Sequence, residues 1–154
     1  MLQSPNLHGP TNHWLLYLIL KVRPGSRSHK QPLVLLDMDT VAGRPEGKLR
    51  HVSRVAIKDQ TAKVKSIDVV AGTTVSDLVS LLASNGREKF RFNPNVEGCA
   101  HWCTEVLHDL VTARFIPEHQ AQECVSSAQY IMNRYWVKGR SQGTPRPFQY
   151  GTFY

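Results

Sequence analysis

Cysteine is scarce in this chain and odd in number: Cys99, Cys103 and Cys124 are all there is. Three thiols at unrelated spacings make no disulfide framework, which excludes a small stapled secreted fold and leads us to expect a reducing, cytoplasmic setting. Long apolar runs are missing too. The strongest, residues 14–20, has seven residues, far short of the roughly 20 that cross a bilayer. It has no basic segment before it and no small-residue cleavage site after it, so a secretory signal is not expected. Acidic residues are outnumbered, twelve Asp and Glu against nineteen Lys and Arg, for a formal charge of +7. That balance favours anionic surroundings and says nothing of fold. The cations are spread over residues 21–30, 44–54 and 134–146, and aromatics make up only 8%. Phe90-Arg91-Phe92 is a possible stacking element, but the basic residues are not concentrated on one element, so nucleic acid is not the expected partner.

What is present suffices for one domain. A chain of 154 residues, 41% of them hydrophobic, buries one core and not two comfortable ones. Residues 1–11, with Pro5, Gly9 and Pro10, have no periodicity and are expected to form a loose arm. Residues 12–137 form the expected domain. Residues 138–154, rich in Gly, Pro and aromatics, make an irregular tail, either disordered or folded back over the domain.

Within the domain, residues 13–22 are almost continuously apolar and predict a buried central strand. Residues 33–39 predict a second, with Asp37 and Asp39 interrupting the apolar run. Gly43, Pro45 and Gly47 predict a turn or exposed loop over 41–48, and partial alternation predicts two more strands at 49–57 and 62–70. Thr74 stands three residues before Asp77, a capping-box start, and the stripe Val75, Leu78, Val79, Leu81, Leu82 is stopped by Asn85-Gly86. A short strand over 89–93 would place Phe90 and Phe92 on one face. A second helix is expected over about 99–114, its apolar face formed by positions 102, 103, 106, 107, 110 and 111. Pro117 is placed to open a third, running to about Trp136. This order predicts an α+β fold: a mostly antiparallel sheet from the N-terminal half, packed by helices from the C-terminal half.

Reactive side chains concentrate at Gly98-Cys99-Ala100-His101-Trp102 and, far upstream, at Asn12-His13-Trp14. Cys99 opens a helix and shares its apolar face, which turns the thiol toward the sheet. A thiol attacks as thiolate, and a helix N-terminus and a neighbouring imidazole both favour that form. Asp37, inside an apolar strand, requires a partner; Asp39, nearer a loop, is the substitute should Asp37 be exposed. Each residue also has a plainer reading. A cysteine on an apolar helix face is often a small hydrophobe, the reading kept for Cys103 and Cys124. A strand-end histidine is often satisfied by a loop carbonyl. His101 points about 200° away from Cys99 around the helix and is expected to be structural, bonding a loop or the turn before the helix. Cys99, His101, Cys103 and His108 fit no finger spacing, and only the two cysteines share a face, so no metal and no cofactor is expected. The aromatic series Trp136, Phe148, Tyr150, Phe153 and Tyr154 is expected to pack, or to lie over the Cys99 pocket and exclude water.

These segments resemble a known group. His13-Trp14-Leu15-Leu16-Tyr17 is similar to the His-bearing strand, and Cys99-Ala100-His101-Trp102 to the Asn-Cys-x-His-Phe segment, of the circularly permuted papain-like proteins of the NlpC/P60 superfamily. That group includes the lecithin:retinol acyltransferase relatives and the PPPDE-type isopeptidases. Phe92 and Ile116-Pro117 occupy places comparable with the PPPDE pattern. Over residues 12–135 the chain also resembles an uncharacterised fungal domain family with the pattern His-Trp, Leu-Asp-Met, Gly-Cys-x-x-Trp. The resemblance implies a permuted papain-like fold with Cys99 as nucleophile and His13 as general base. Asp37 would stand for the family's third polar residue and orient His13. Trp14, Gly98, His101 and Trp102 would support that site. The family Asn is Gly98 here and the residue after the cysteine is Ala100, which leaves oxyanion stabilisation to backbone N–H groups.

The expected function is cysteine-dependent acyl transfer: thiolate attack on an amide, ester or isopeptide carbonyl of a small-molecule or peptide substrate, then hydrolysis or transfer. The alternatives are a cyclase or isomerase of fungal secondary metabolism that uses the same pocket for acid and base chemistry, and a non-catalytic binding module, which Gly98 favours.

Overall fold

The computed structural model describes residues 2–5, 12–21, 32–40, 44–54, 65–95, 97–134 and 148–154, and of residues 2–5, 12, 13, 54, 128 and 130–134 the backbone alone. The apolar run near the start of the chain is a strand, β2 (Asn12–Ile19), and a sheet is built on both sides of it. Its companions are β1 (Leu2–Pro5), β3 (Leu33–Thr40), β4 (Glu46–Arg54), β5 (Lys89–Arg91) and β6 (Thr152–Phe153). Spatial order follows chain order, and every neighbouring pair is antiparallel. Three helices, α1 (Val75–Ser84), α2 (Cys99–Thr112) and α3 (Glu118–Arg134), complete an α+β architecture.

Strand alternation divides the apolar residues between two faces. Trp14, Leu16, Leu36, Met38, Phe90 and Phe92 point to one side, where they meet Leu78 and Leu82 of α1, Trp102, Cys103, Val106, Leu107 and Leu110 of α2, and Ala121 and Cys124 of α3. Leu15 and Leu35 make a small second cluster with Tyr17 and Val52 on the other.

Local signals placed the helices. Thr74 caps α1 in a full capping box: the Asp77 amide donates to Thr74 Oγ1 at 3.2 Å and the Thr74 amide to Asp77 Oδ2 at 2.8 Å. Asn85 ends the helix, and Gly86 follows with a φ of +65°. The third helix begins just after Pro117 and is described to Arg134; Trp136 lies outside the described residues.

Three expectations differ from the structure. Residues 2–5, expected in a loose arm, pair with β2 from Leu2↔Leu15 to Pro5↔Asn12. Residues 46–48, expected in an exposed loop, open β4, and Gly47 is there because the strand passes close over the core. A Cβ at Gly47 would lie 2.7 Å from Met38 Sδ and 2.9 Å from the Phe92 ring. Residues 65–70, the described part of the expected strand at 62–70, form no strand. They run along the helices instead: the Asp68 amide donates to Gln120 Oε1 at 2.7 Å, the Val70 amide to the Phe115 carbonyl at 2.9 Å, and Lys65 pairs with Glu123. The short strand expected over 89–93 is β5, and residues 148–154 fold back, one of the two alternatives for the tail, where β6 pairs with β5.

Candidate functional site

In an antiparallel ladder the N–H and C=O of one residue face the same neighbour, and the side alternates at each residue. Along β2 the even-numbered residues face β3, as the Leu20 amide shows by donating to the Pro32 carbonyl at 3.0 Å. The β2–β3 register runs from Ile19↔Leu33 to Leu16↔Leu36, whereas the first half of β2 pairs on its other side with β1. The Trp14 amide therefore points into the place that β3 has left. Cys99 Sγ fills it, accepting that N–H at 3.4 Å. Cys99 is half-buried and is the first residue of α2.

Gly98 sets the approach. As the N-cap of α2 it has φ +138° and ψ −3° and offers no side-chain cap, a backbone that L side chains rarely adopt. A Cβ there would also stand 3.2 Å from the Phe90 ring and from the Gly151 amide nitrogen. The glycine at the position where the resembled family has Asn is thus demanded by backbone and packing.

Position 13 is next to the sulfur along the chain. Its backbone pairs with Ser4, and its side chain lies outside the described residues. Because the Trp14 nitrogen is bonded to the carbonyl carbon of residue 13, covalent geometry puts Cys99 Sγ within about 6 Å of the position-13 Cα.

Asp37 is buried, 5% exposed. Its carboxylate accepts from Arg50 Nη2 at 3.0 Å, and Arg50, directly opposite on β4, also reaches Asp39 Oδ2 with Nη1 at 3.2 Å. Asp37 needed a partner, and the described one is this cross-strand guanidinium. Arg50 is the residue that sequence reasoning missed. The alternation Asp37-x-Asp39 facing an arginine becomes a signal only once the β3–β4 register is known.

His101, expected to bond a loop or the turn before the helix, meets the C-terminal segment. Its Nδ1 accepts the Gly151 amide at 3.3 Å, its Nε2 lies 3.8 Å from Glu105 Oε1, and Phe90, Phe148, Tyr150 and Phe153 surround the ring. Burial holds its pKa below the usual histidine value; Glu105 acts in the opposite direction. Trp14 and Trp102 belong to the core, and the Trp102 indole donates to the Arg87 carbonyl at 2.8 Å. Burial pushes the Cys103 thiol well above its ordinary value and raises that of Cys124, which suits inert side chains.

A cavity of about 680 Å³ opens farther along the same two elements, lined by Leu16, Leu18, Leu36, Val106, Leu107 and Leu110 among others. It lies two to three turns down α2 from Cys99. No helix among the described residues is long and apolar enough to cross a membrane, and no three His, Cys, Asp or Glu side chains among them converge in a way that could hold a metal ion. No curated protein and no solved structure matches the chain. A family model described as a domain of unknown function, DUF7770, matches residues 2–154, and the chain belongs to that family.

Proposed function

We propose that this protein is a cysteine-dependent acyl-transfer enzyme on a permuted papain-like fold. The carrying observation is the bond from the Trp14 amide to Cys99 Sγ at 3.4 Å, which seats the thiol of α2 in the opening between β2 and β3 beside position 13. In this reading His13 takes the Cys99 proton and the thiolate attacks the substrate carbonyl. The leaving group departs with the proton from the imidazolium, leaving a thioester on Cys99. Water or a second nucleophile, deprotonated by His13, then attacks the thioester and frees the thiol.

The first-turn amides of α2 have no carbonyl within the helix to bond and can serve the oxyanion. Asp37 is given the role of orienting His13. Its carboxylate also carries Arg50, so Arg50 becomes part of the same charge set. A small molecule or a peptide carrying an amide, ester or isopeptide bond is the substrate class.

The test is competitive alkylation by iodoacetamide, with each cysteine resolved by peptide mass spectrometry. Cys99 is expected to be modified at least tenfold faster than Cys103 and Cys124. His13→Ala is expected to slow Cys99 by about tenfold, the scale on which a positioned base acts. Equal rates at Cys99 in wild type and His13→Ala would remove the base from the proposal.

A further inference from the structure

The C-terminal segment does more than cover the sheet edge. Gln149 accepts from Asn93 Nδ2 at 3.0 Å, β6 pairs with β5 through Arg91↔Thr152 and Phe90↔Phe153, and Arg87 stacks over the Phe153 ring at 4.4 Å. Between these contacts lies Gly151, buried, its amide nitrogen against the N-cap of the helix that begins with Cys99. That amide is held by His101 Nδ1.

We propose that residues 148–154 are a strap that holds the first turn of α2, and that His101 is its catch: the neutral ring keeps the strap docked, and protonation of the ring releases it. The chemistry is that of the imidazole. Nδ1 accepts a hydrogen bond only while it carries no proton, so the docked form requires the tautomer with hydrogen on Nε2, the nitrogen that faces Glu105. The imidazolium carries a proton on both nitrogens, and its Nδ1–H would meet the Gly151 N–H head on.

Among the described residues the groups facing the ring are few. On α2 there is Glu105; from the turn before β5, Arg87; from the strap, Tyr150; the rest of the ring's surroundings are the aromatic faces of Phe90, Phe148 and Phe153. Burial among them, foremost, and the Arg87 charge favour the neutral ring; Glu105 and the backbone of Gly151 favour the charged one. With burial foremost the ring's pKa lies below its ordinary 6.5. With the strap undocked the His101 ring therefore takes up a proton before it does with the strap docked. Docking is fully supported above that ordinary value and weakens as pH falls toward and through the lowered one.

The consequence for Cys99 rests on its reading as a nucleophile. The strap itself does not, and the test separates them. Hydrogen–deuterium exchange of the full chain is followed by mass spectrometry between pH 5 and 8, corrected for intrinsic exchange, with the amides of α1 as an internal reference. In wild type, protection of residues 149–154 and of the first hydrogen-bonded amides of α2, at Trp102 and Cys103, is expected to fall together, severalfold, on acidification. His101→Asn keeps an acceptor near the Nδ1 position that takes up no proton in this range, and its exchange is expected to be independent of pH.

Gly151→Ala provides the second arm, because a Cβ at 151 would collide with the Phe90 ring and the Arg91 carbonyl. It is expected to free the strap, and with it the first turn of α2, at every pH. Three results overturn the proposal: protection of residues 149–154 in wild type that does not change with pH, the same acid-induced loss in His101→Asn, or a freed strap in Gly151→Ala with exchange at Trp102 and Cys103 unchanged. All three readouts are independent of whether Cys99 forms an acyl adduct.

Discussion

Gly98 is the residue at which the catalytic and the inert readings of this chain meet. From sequence it looked like the loss of an Asn that a working site would keep. Its φ of +138° and the 3.2 Å spacing to Phe90 and Gly151 give it another reason to be there. Gly98→Ala is therefore expected to cost about 1–3 kcal/mol of stability through backbone strain alone, measured as a fall in the urea midpoint; an unchanged midpoint would contradict the assignment. Single-residue chemistry was otherwise partly legible. A buried aspartate needs a partner, and the sequence announced that much for Asp37. That Arg50 is the described partner depended on a strand register that no local pattern carries. The angular offset of His101 from Cys99 implied a partner other than the thiol, but that partner, Gly151, is 50 positions away.

Elements with both ends marked locally were read correctly, and those defined by distant partners were not. The first helix has its cap, its stripe and its stop within thirteen consecutive residues, Thr74 to Gly86. Residues 65–70 show alternation as good as many strands, yet the Asp68 and Val70 amides are taken by Gln120 and by the Phe115 carbonyl. The junction of α1, α2 and β5 depends on Arg87, which grips Asp109 through both Nε and Nη2 and approaches Glu105 at 3.7 Å. Asp109→Ala is expected to cost about 2 kcal/mol, less than the roughly 3–5 of a fully buried pair, because Glu105 stays within reach and both groups retain some exposure. Burial by itself would raise the Asp109 carboxyl. The bonds from Arg87 and Asn85, with the charges of Arg87 and His108, leave it below the usual carboxylate range. A carboxyl lowered by folding stabilises above its unfolded pKa and loses that contribution as pH falls through the folded one. In acid titrations of stability, wild type should lose its advantage over Asp109→Ala only below the ordinary carboxylate range. An advantage lost already near neutrality would contradict this account.

At the scale of the molecule, the α+β class and the placing of most strands ahead of the helices were legible because hydrophobic period and turn residues are local. The two ends of the sheet were not. β1 and β6 are four and two residues long, too short to show a period, and each is defined by the strand it joins. The fold's most consequential feature, the parting of β2 from β3 with Cys99 in the opening, is likewise a matter of three elements meeting. It turns a cysteine on an apolar helix face into a thiol placed at a strand's unfilled ladder position.

The central claim is that this thiol accepts acyl groups. Intact-mass spectrometry after brief exposure to an activated ester such as p-nitrophenyl acetate tests it directly. The account predicts a single acetyl adduct that maps to Cys99, that is lost on addition of hydroxylamine, and that is absent at this site in Cys99→Ala. Acetylation confined to lysines, or equal labelling of Cys99 in wild type and urea-unfolded protein, would contradict it.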